Sequence, residues 1–545
     1  MAAPSSIPSM ELQRYMRAAS DALRVGDMAQ ACRVGMDAVS RGIENEQLLT
    51  LAAYASINIG NDPKALELAM RARSLAPRSL DVLTVLGMCQ QRNGQFREAV
   101  ETYDAALKVS PGTTRLRFNK ACALEAMSEI AKASREFERV LDSEPRNAEA
   151  LAHLANLAAQ RGDAKTARDY ATRALRVDPR QSAAILALAT ADVEDKQFDD
   201  ALARLKPLLA DTSPVNRSIA QGLAADALDG LGQADEAFRA YAASKDTLKA
   251  FYQPVYEAAG TERALARVNR LERFFETASK DAWQAHKGDA PQAPVKTHVF
   301  LVGFPRSGTT LLEQILASHR DVVSMEERDC LVNAEREFLK PDGLERLAGM
   351  QSGDLAAARE AYWRRVEEAG VTPSVPVFVD KMPLNTVLLC LIAKLFPQAK
   401  ILFALRDPRD VVLSCFRRRF VMTAQMYELC TLQSAATYYD AVMRLAQRYR
   451  EKLNLDIHEL RYEAMVADLE TQMRAVCAFM DVEWDDAMRD FANRAGKRGI
   501  DTPSAAQVSR GLYTQGAGQW QRYAAQMAPV MPLLNPWLTR YGYTE

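Results

Sequence analysis

Metal-binding cysteine patterns, long apolar runs and a strong net charge are all missing from this sequence. The eight cysteines include no CxxC pair and no metal-ligand spacing, so we expect buried free thiols in a reducing, cytoplasmic compartment. No stretch approaches about 18 consecutive apolar residues, and the N-terminus lacks a basic segment followed by an apolar one, so neither a membrane span nor a signal peptide is predicted. A formal net charge of −1 gives no general reason to expect nucleic-acid binding. What remains is a globular chain of 545 residues, too long for a single ordinary core.

The first half of the chain repeats with a fixed period. Gly60 and Gly94 lie 34 residues apart, and Gly162 follows Gly94 after 68 residues, which is twice that period. Each of these glycines is followed by alanine five and twelve positions later and by proline seventeen positions later. Such a period predicts stacked helix pairs, in which glycine ends the first helix and proline stops the second. The pattern resembles tetratricopeptide repeats (TPR), about seven of them over residues 12–245, and implies an N-terminal α-solenoid.

Repeat arrays of this kind commonly hold a peptide or an extended protein segment in a concave groove. We therefore expect a protein partner for residues 12–245, and the alternative is a packing scaffold without a ligand of its own. Residues 246–296 are interpreted as a helical connector ending in a proline-containing linker, and residues 297–545 as a second domain. The sequence does not decide the oligomeric state, and a homodimer is one option.

The segment GFPRSGTT, residues 303–310, has the glycine spacing of a phosphate-binding loop. It follows the apolar run HVFLV, a predicted strand, and precedes TTLLEQILASH, whose apolar residues recur at helical spacing. Backbone N–H groups at the start of that helix are expected to face an anion, which would be held by Arg306, Ser307, Gly308, Thr309 and Thr310. Nucleotide-hydrolysing loops carry lysine after the second glycine, whereas this chain has Thr309. The loop therefore argues against a magnesium-dependent kinase, and no metal is expected.

A second predicted strand-to-helix crossing is KILFALRDPRDVVLSCF, residues 400–416. Arg406 follows the strand, and Ser414 comes eight residues later. Together with PRSGTT, this segment resembles the PAPS-dependent sulfotransferases, whose donor PAPS is adenosine 3′-phosphate 5′-phosphosulfate; the resemblance covers about residues 297–545. It implies that the first loop holds the 5′-phosphosulfate and that Arg406 and Ser414 hold the 3′-phosphate. The arginine run at 417–419 is expected to lie on a solvated face.

An acidic segment after the first helix resembles the source of the catalytic base in one branch of this family. SMEERDCL, residues 324–331, is similar in position to the segment of tyrosylprotein sulfotransferases that supplies a glutamate base. By spacing from the loop, Glu327 matches that base, with Glu326 as the alternative. Lys381, in DKMPLN after the strand-like VPVFV, resembles the lysine that contacts the bridging oxygen, a role shared with Arg306. Weaker matches imply roles for three later residues, namely Tyr462 near the nucleotide, Ser504 beside the lysine and Arg510 at the 3′-phosphate.

The alternation of strands and helices, with ligand residues at strand ends, predicts an α/β domain with a mostly parallel sheet. The predicted reaction is transfer of a sulfuryl group from PAPS to a hydroxyl, first of all that of a protein tyrosine recruited with help from the repeats. A carbohydrate or glycolipid acceptor is the alternative, because carbohydrate sulfotransferases also use glutamate. A different class of function is a TPR scaffold whose α/β domain senses nucleotide without catalysis. His319 is interpreted as a helix-end residue and Trp520 as a packing residue.

Overall fold

The computed structural model describes residues 9–127, 129–283, 293–492 and 516–543. The chain forms two units, Met1–Ala191 and Asp192–Glu545. Within the described ranges, no helix combines the length and the apolar character needed to cross a bilayer.

The first unit consists of helices that alternate in pairs along the chain. They are α1 (Ser9–Arg24), α2 (Met28–Ser40), α3 (Glu46–Asn58), α4 (Asp62–Leu75), α5 (Leu80–Arg92), α6 (Phe96–Val109), α7 (Thr114–Ala126), α8 (Ile130–Ser143), α9 (Ala148–Gln160), α10 (Ala164–Val177) and α11 (Ser182–Glu194), whose last residues belong to the second unit. From α3 to α11, the first helix of each pair begins at residues 46, 80, 114, 148 and 182, a step of 34 each time.

Small side chains and left-handed turns account for this geometry. The alanines at 53, 121 and 155 are fully buried, which lets neighbouring helices approach closely. The glycines at 60, 94 and 162 follow the first helix of their pairs with φ of 75°, 74° and 73°, the left-handed conformation that ends helices. Lys196, which occupies the equivalent position in a later pair, has φ of 60°. The predicted repeat fold is confirmed.

The second unit combines four helices, which lie before residue 278, with an α/β domain. Its helices are α12 (Phe198–Leu205), α13 (Pro214–Gly230), α14 (Ala234–Tyr256), α15 (Ala264–Thr277), α16 (Thr309–Leu316), α17 (Val332–Phe338), α18 (Gly343–Gly349), α19 (Ala356–Glu368), α20 (Leu389–Leu395), α21 (Pro408–Arg417), α22 (Ala424–Tyr427), α23 (Leu432–Lys452), α24 (Tyr462–Ala467), α25 (Leu469–Phe479), α26 (Ala524–Met527) and α27 (Met531–Tyr541). Its strands are β1 (Thr297–Gly303), β2 (Val322–Met325), β3 (Val377–Lys381), β4 (Lys400–Leu405) and β5 (Asp456–Arg461).

The strands form one parallel sheet in the order β2-β3-β1-β4-β5. Every residue of the central strand β1 is buried, as expected for a strand covered on both faces. The register pairs Leu301 of β1 with Lys381 of β3 and with Leu402 of β4. The carboxyl ends of β1, β3 and β4 therefore meet at one edge, where ligands bind in folds of this kind. The predicted parallel sheet is confirmed.

Helices α13 to α15 share a core with this sheet. Tyr241, Leu271 and Phe275 belong to the same buried cluster as Phe300 of β1, so helices that precede residue 297 contribute to the core of the second unit.

The expectation that residues 417–419 form a solvated face is wrong for Arg417, whose side chain is 15% exposed. Its Nη2 donates to Asp229 Oδ2 at 2.6 Å and to the Tyr241 hydroxyl at 3.1 Å, so residues of α13 and α14 bury it.

Candidate active site

The phosphate loop connects β1 to α16 and is held in an uncommon conformation. Arg306 has φ of 72° and Gly308, the residue before α16, has φ of 93°; a left-handed arginine is unusual and tends to occur at functional sites. A Cβ atom at Gly308 would lie 2.7 Å from Cδ2 of Tyr462. Only glycine therefore fits both the conformation and the contact at this position.

The N-terminus of α16 offers an anion site. Gly308 has no side chain to cap the helix, and the first N–H groups of any α-helix have no acceptor within the helix. Three hydroxyl side chains surround this turn, with relative exposures of 4% for Ser307, 4% for Thr309 and 7% for Thr310. N–H groups and hydroxyl-bearing residues at the positive end of a helix dipole suit a phosphate or sulfate group.

Two arginines and a serine from separate elements meet beside this turn. Arg306 Nε donates to Ser414 Oγ of α21 at 3.0 Å, and Arg406 Nη1, after β4, donates to the Arg306 carbonyl at 3.0 Å. The Arg406 guanidinium also lies 5.0 Å from the centre of the Tyr462 ring. The structure thus brings together Arg306, Arg406, Ser414 and Tyr462, which the sequence placed in one nucleotide site.

The charges of this cluster favour a bound anion. Burial, together with the like charges of Arg418 and Arg406, lowers the pKa of Arg306 to about 9. Arg406 Nε is buried and has no hydrogen-bond partner within the described residues. A buried donor without an acceptor is costly, and an anion placed here would supply the acceptor and relieve the repulsion. The side chains present therefore fit an anionic donor such as PAPS.

Lys381 lies at the end of β3 between two carboxylates. Its side chain is fully buried, and its Nζ lies 2.9 Å from Glu327 Oε1 and 3.3 Å from Glu313 Oε2. Burial lowers the pKa of Lys381, but Glu313 and Glu327 outweigh it and the net shift is upward. The side chain of Glu327 is 41% exposed, whereas that of Glu313 is fully buried.

Glu313 is the member of this group that sequence reasoning missed. It lies on α16, and burial raises its pKa to about 7 although Lys381 acts in the opposite direction. The signal in the sequence is a single charged residue within the segment TTLLEQIL. In the structure, all residues of this helix are buried. A carboxyl within such an apolar helix is rare unless it is paired.

The remaining candidates divide into structural residues and residues outside the described ranges. His319 Nε2 contacts the Glu483 carbonyl at 2.7 Å, and its Nδ1 accepts a hydrogen bond from the Asp321 N–H at 3.0 Å. Both ring nitrogens are therefore engaged with backbone atoms, which is a structural role. Trp520 stacks on the Arg409 guanidinium at 3.9 Å, which fits the packing role predicted for it. Ser504 and Arg510 lie outside the described residues, and their roles stay predictions.

A segment near the C-terminus forms hydrogen bonds with the start of α21. These contacts were not predicted from the sequence. Asp410 accepts hydrogen bonds from the N–H groups of Gly518 at 2.7 Å and Trp520 at 2.9 Å. The Gly516 carbonyl accepts from Arg406 Nη2. Residues 516–520 therefore orient both the helix that carries Ser414 and the guanidinium beside it.

Comparisons with known proteins agree with this arrangement. Residues 298–486 match the sulfotransferase family, and residues 80–113 and 118–182 match tetratricopeptide repeats. The chain thus contains segments that match tetratricopeptide repeats and the sulfotransferase family, in the order that the resemblance implied.

Three relatives illustrate the similarity. An uncharacterized protein of Aquifex aeolicus is 28% identical over 278 residues, 49% of this chain and 35% of that one. Protein-tyrosine sulfotransferase 1 of Danio rerio is 26% identical over 260 residues, 45% of this chain and 72% of that one. Protein-tyrosine sulfotransferase A of Caenorhabditis elegans is 27% identical over 223 residues, 36% of this chain and 53% of that one. The matches support a sulfotransferase, and the chain spans about a third to three quarters of these relatives' lengths.

Proposed function

We propose that this protein transfers a sulfuryl group from PAPS to an acceptor hydroxyl, and that the acceptor is a protein tyrosine. The observation that carries the proposal is the contact of 2.9 Å between Lys381 and Glu327 beside the anion site of α16. It places an ammonium and an exposed carboxylate next to each other, and Glu327 is close enough to Arg306 to act on its pKa.

The donor is held by two sets of residues. Arg306, the hydroxyls at 307, 309 and 310 and the first N–H groups of α16 bind the 5′-phosphosulfate, where a helix dipole favours negative charge. Arg406 and Ser414 bind the 3′-phosphate through a charge-assisted and a neutral hydrogen bond. Tyr462 packs against this site. By the family resemblance, Arg510 binds the 3′-phosphate and Ser504 assists Lys381.

PAPS supplies an activated sulfuryl group when bound: a new S–O bond forms to the acceptor as the bond to the bridging phosphate oxygen breaks. Glu327 takes the proton of the acceptor hydroxyl, a role that its partly exposed carboxylate can fill and the fully buried Glu313 cannot. Lys381 and Arg306 stabilise the negative charge that grows on the departing oxygen. No metal has a role in this scheme.

A tyrosine acceptor is favoured by the names of the relatives, two of which are protein-tyrosine sulfotransferases. The TPR region supports a protein substrate or partner, because such arrays bind extended segments. We place the reaction in the cytoplasm, in keeping with the free cysteines, of which seven are buried.

The test is transfer of ³⁵S from labelled PAPS by the purified full chain, with cell lysate and tyrosine-containing peptides as acceptors. Label released by protease and recovered as tyrosine sulfate supports the proposal. Label released only by glycosidase shows a carbohydrate acceptor. Retained PAPS binding without any transfer shows the nucleotide-sensing scaffold.

Variants at the acidic segment assign the base. Glu327→Gln should lower kcat by about two to four orders of magnitude. Its affinity for adenosine 3′,5′-bisphosphate, the product of the donor, should equal that of the wild type when measured by calorimetry. Glu326→Gln is the matched comparison, and exposed Glu345→Gln on α18 is the control for charge alone. Near-normal turnover of Glu327→Gln with loss in Glu326→Gln would transfer the base to Glu326.

A further inference from the structure

We propose that Glu313 is a positioning residue for the reaction, holding the Lys381 ammonium in place while Glu327 receives the acceptor's proton. This inference rests on the proposed function and adds a residue to it. In the resting site Lys381 contacts both carboxylates, Glu327 at 2.9 Å and Glu313 at 3.3 Å. Only one of these contacts can last through the reaction if Glu327 is the base.

The two carboxylates differ in burial, as expected if Glu327 transfers a proton and Glu313 positions Lys381. Glu327 lies in the segment after β2 and its side chain is 41% exposed, so it can turn towards a substrate. Glu313 is fully buried on a helix whose residues are all buried, and packed interiors allow little rearrangement. One contact of Lys381 is therefore exchangeable and the other is fixed.

The location of Glu313 also links the lysine to the donor site. α16 begins at Thr309, beside the anion site, and Glu313 lies about one turn further along, a rise of about 6 Å. The same rigid helix therefore carries the N–H groups that face the donor and the carboxylate that faces Lys381. Any displacement of α16 moves the N–H groups and the carboxylate together. The position of the Lys381 ammonium relative to the bridging oxygen of the donor is therefore kept.

When Glu327 becomes protonated, Lys381 loses one negative partner. Without Glu313, the ammonium would then be a fully buried charge without a fixed counter-ion, an arrangement that favours loss of its proton. Glu313 keeps Lys381 charged at the moment when charge develops on the leaving oxygen. The other acidic groups acting on this pair are Glu326 and Asp380, and neither is in ion-pair contact with the lysine.

The experiment compares Glu313→Gln, Glu313→Asp and the wild type in the full chain. We expect Glu313→Gln to lower kcat by about tenfold to a hundredfold, the loss typical of residues that orient a catalytic group, with KM for PAPS nearly unchanged. The alkaline limb of the kcat profile should move by about one pH unit or more towards lower pH, because Lys381 has lost an opposite charge. A role in folding alone would not move that limb.

The matched control is Glu272→Gln. Glu272 on α15 is also a buried glutamate paired with an arginine, with Arg444 Nη1 at 3.3 Å and a side chain 10% exposed. It lies outside the site, so kcat and its pH profile should stay as in the wild type. Glu313→Asp retains the charge but withdraws it by about 1.5 Å, and should give an intermediate kcat.

Binding of adenosine 3′,5′-bisphosphate supplies a readout that needs no turnover. Calorimetry at pH 7 to 10 should show binding to Glu313→Gln weakening at lower pH than binding to the wild type. If the wild type transfers no sulfuryl group, the proposed function fails, but this binding comparison still decides the inference. Unchanged kcat and an unmoved alkaline limb in Glu313→Gln, or identical pH dependence of binding, would overturn it. If Glu313→Gln does not fold, kcat of Glu313→Asp decides, and a value equal to that of the wild type would overturn the inference.

Discussion

Replacing Glu313 by glutamine should change how the stability of the second unit depends on pH. Burial raises the pKa of Glu313 from 4.5 to about 7. Below pH 4.5 this carboxyl is protonated in both the folded and the unfolded chain, so it contributes no penalty. As the pH rises the unfolded chain ionises first, and the stability contributed by this group is lost until the folded-state pKa is passed.

The size of the effect follows from the same two values. A pKa difference corresponds to about 1.4 kcal/mol per pH unit, so the free energy of unfolding of the wild type falls by about 3 kcal/mol from this group between pH 4.5 and 7.5. Glutamine does not ionise and cannot show this loss. Relative to the wild type, Glu313→Gln should therefore gain about 3 kcal/mol across that interval, whatever constant cost the buried amide adds.

Urea unfolding at pH 5, 6, 7 and 8, followed by tryptophan fluorescence, measures this difference. All five tryptophans of the chain lie in the second unit, so the signal reports that unit and not the first one. Exposed Glu345→Gln is the control and should show a nearly constant difference. If the stability difference for Glu313→Gln is the same at pH 5 and pH 8, Glu313 does not titrate in this range and the reasoning is wrong.

Two further predictions concern the 3′-phosphate site and the burial of Arg417. Arg406→Met should weaken adenosine 3′,5′-bisphosphate binding by about tenfold or more, the value of a charge-assisted hydrogen bond; calorimetry within twofold of the wild type would remove Arg406 from the 3′-phosphate site. Asp229→Asn should destabilise the second unit by about 3 kcal/mol, because it leaves the buried Arg417 without its counter-ion, as measured by tryptophan fluorescence in urea. Arg417→Met should cost less, since Asp229 keeps hydrogen bonds from Arg522 and Tyr523, and equal losses in the two variants would contradict that asymmetry.

Most of the fold, and most of the side-chain cluster around Arg306 and Arg406, could be predicted because their signals are local. The 34-residue period is visible in the spacing of glycine, alanine and proline residues. Each repeat packs chiefly against its neighbours in the chain. Arg306 and Arg406 follow strand-like runs, and the carboxyl ends of parallel strands lie at one edge of a sheet. A parallel sheet therefore brings the two arginines close to each other and to Ser414 on the following helix, whose Oγ lies 3.0 Å from Arg306 Nε.

The residues that were missed or misassigned depend on contacts between distant parts of the chain. Arg417 looks like part of a charged surface run, and its burial depends on Asp229, 188 positions away. Charge and hydropathy in a short window cannot distinguish these two environments. The same limit applies to Asp410, whose partners Gly518 and Trp520 follow it by more than 100 positions.

Glu313 illustrates why such residues matter for function. Within TTLLEQIL a glutamate contradicts the apolar pattern of a buried helix, and burial raises its pKa to about 7, so it opposes folding at neutral pH. An apolar residue or a glutamine there would satisfy the core better, and departures from local consistency concentrate at functional sites. The one group in ion-pair contact with Glu313 among the described residues is Lys381, the proposed stabiliser of the leaving oxygen. The energetic cost of this carboxyl is therefore best explained by the ammonium that it holds.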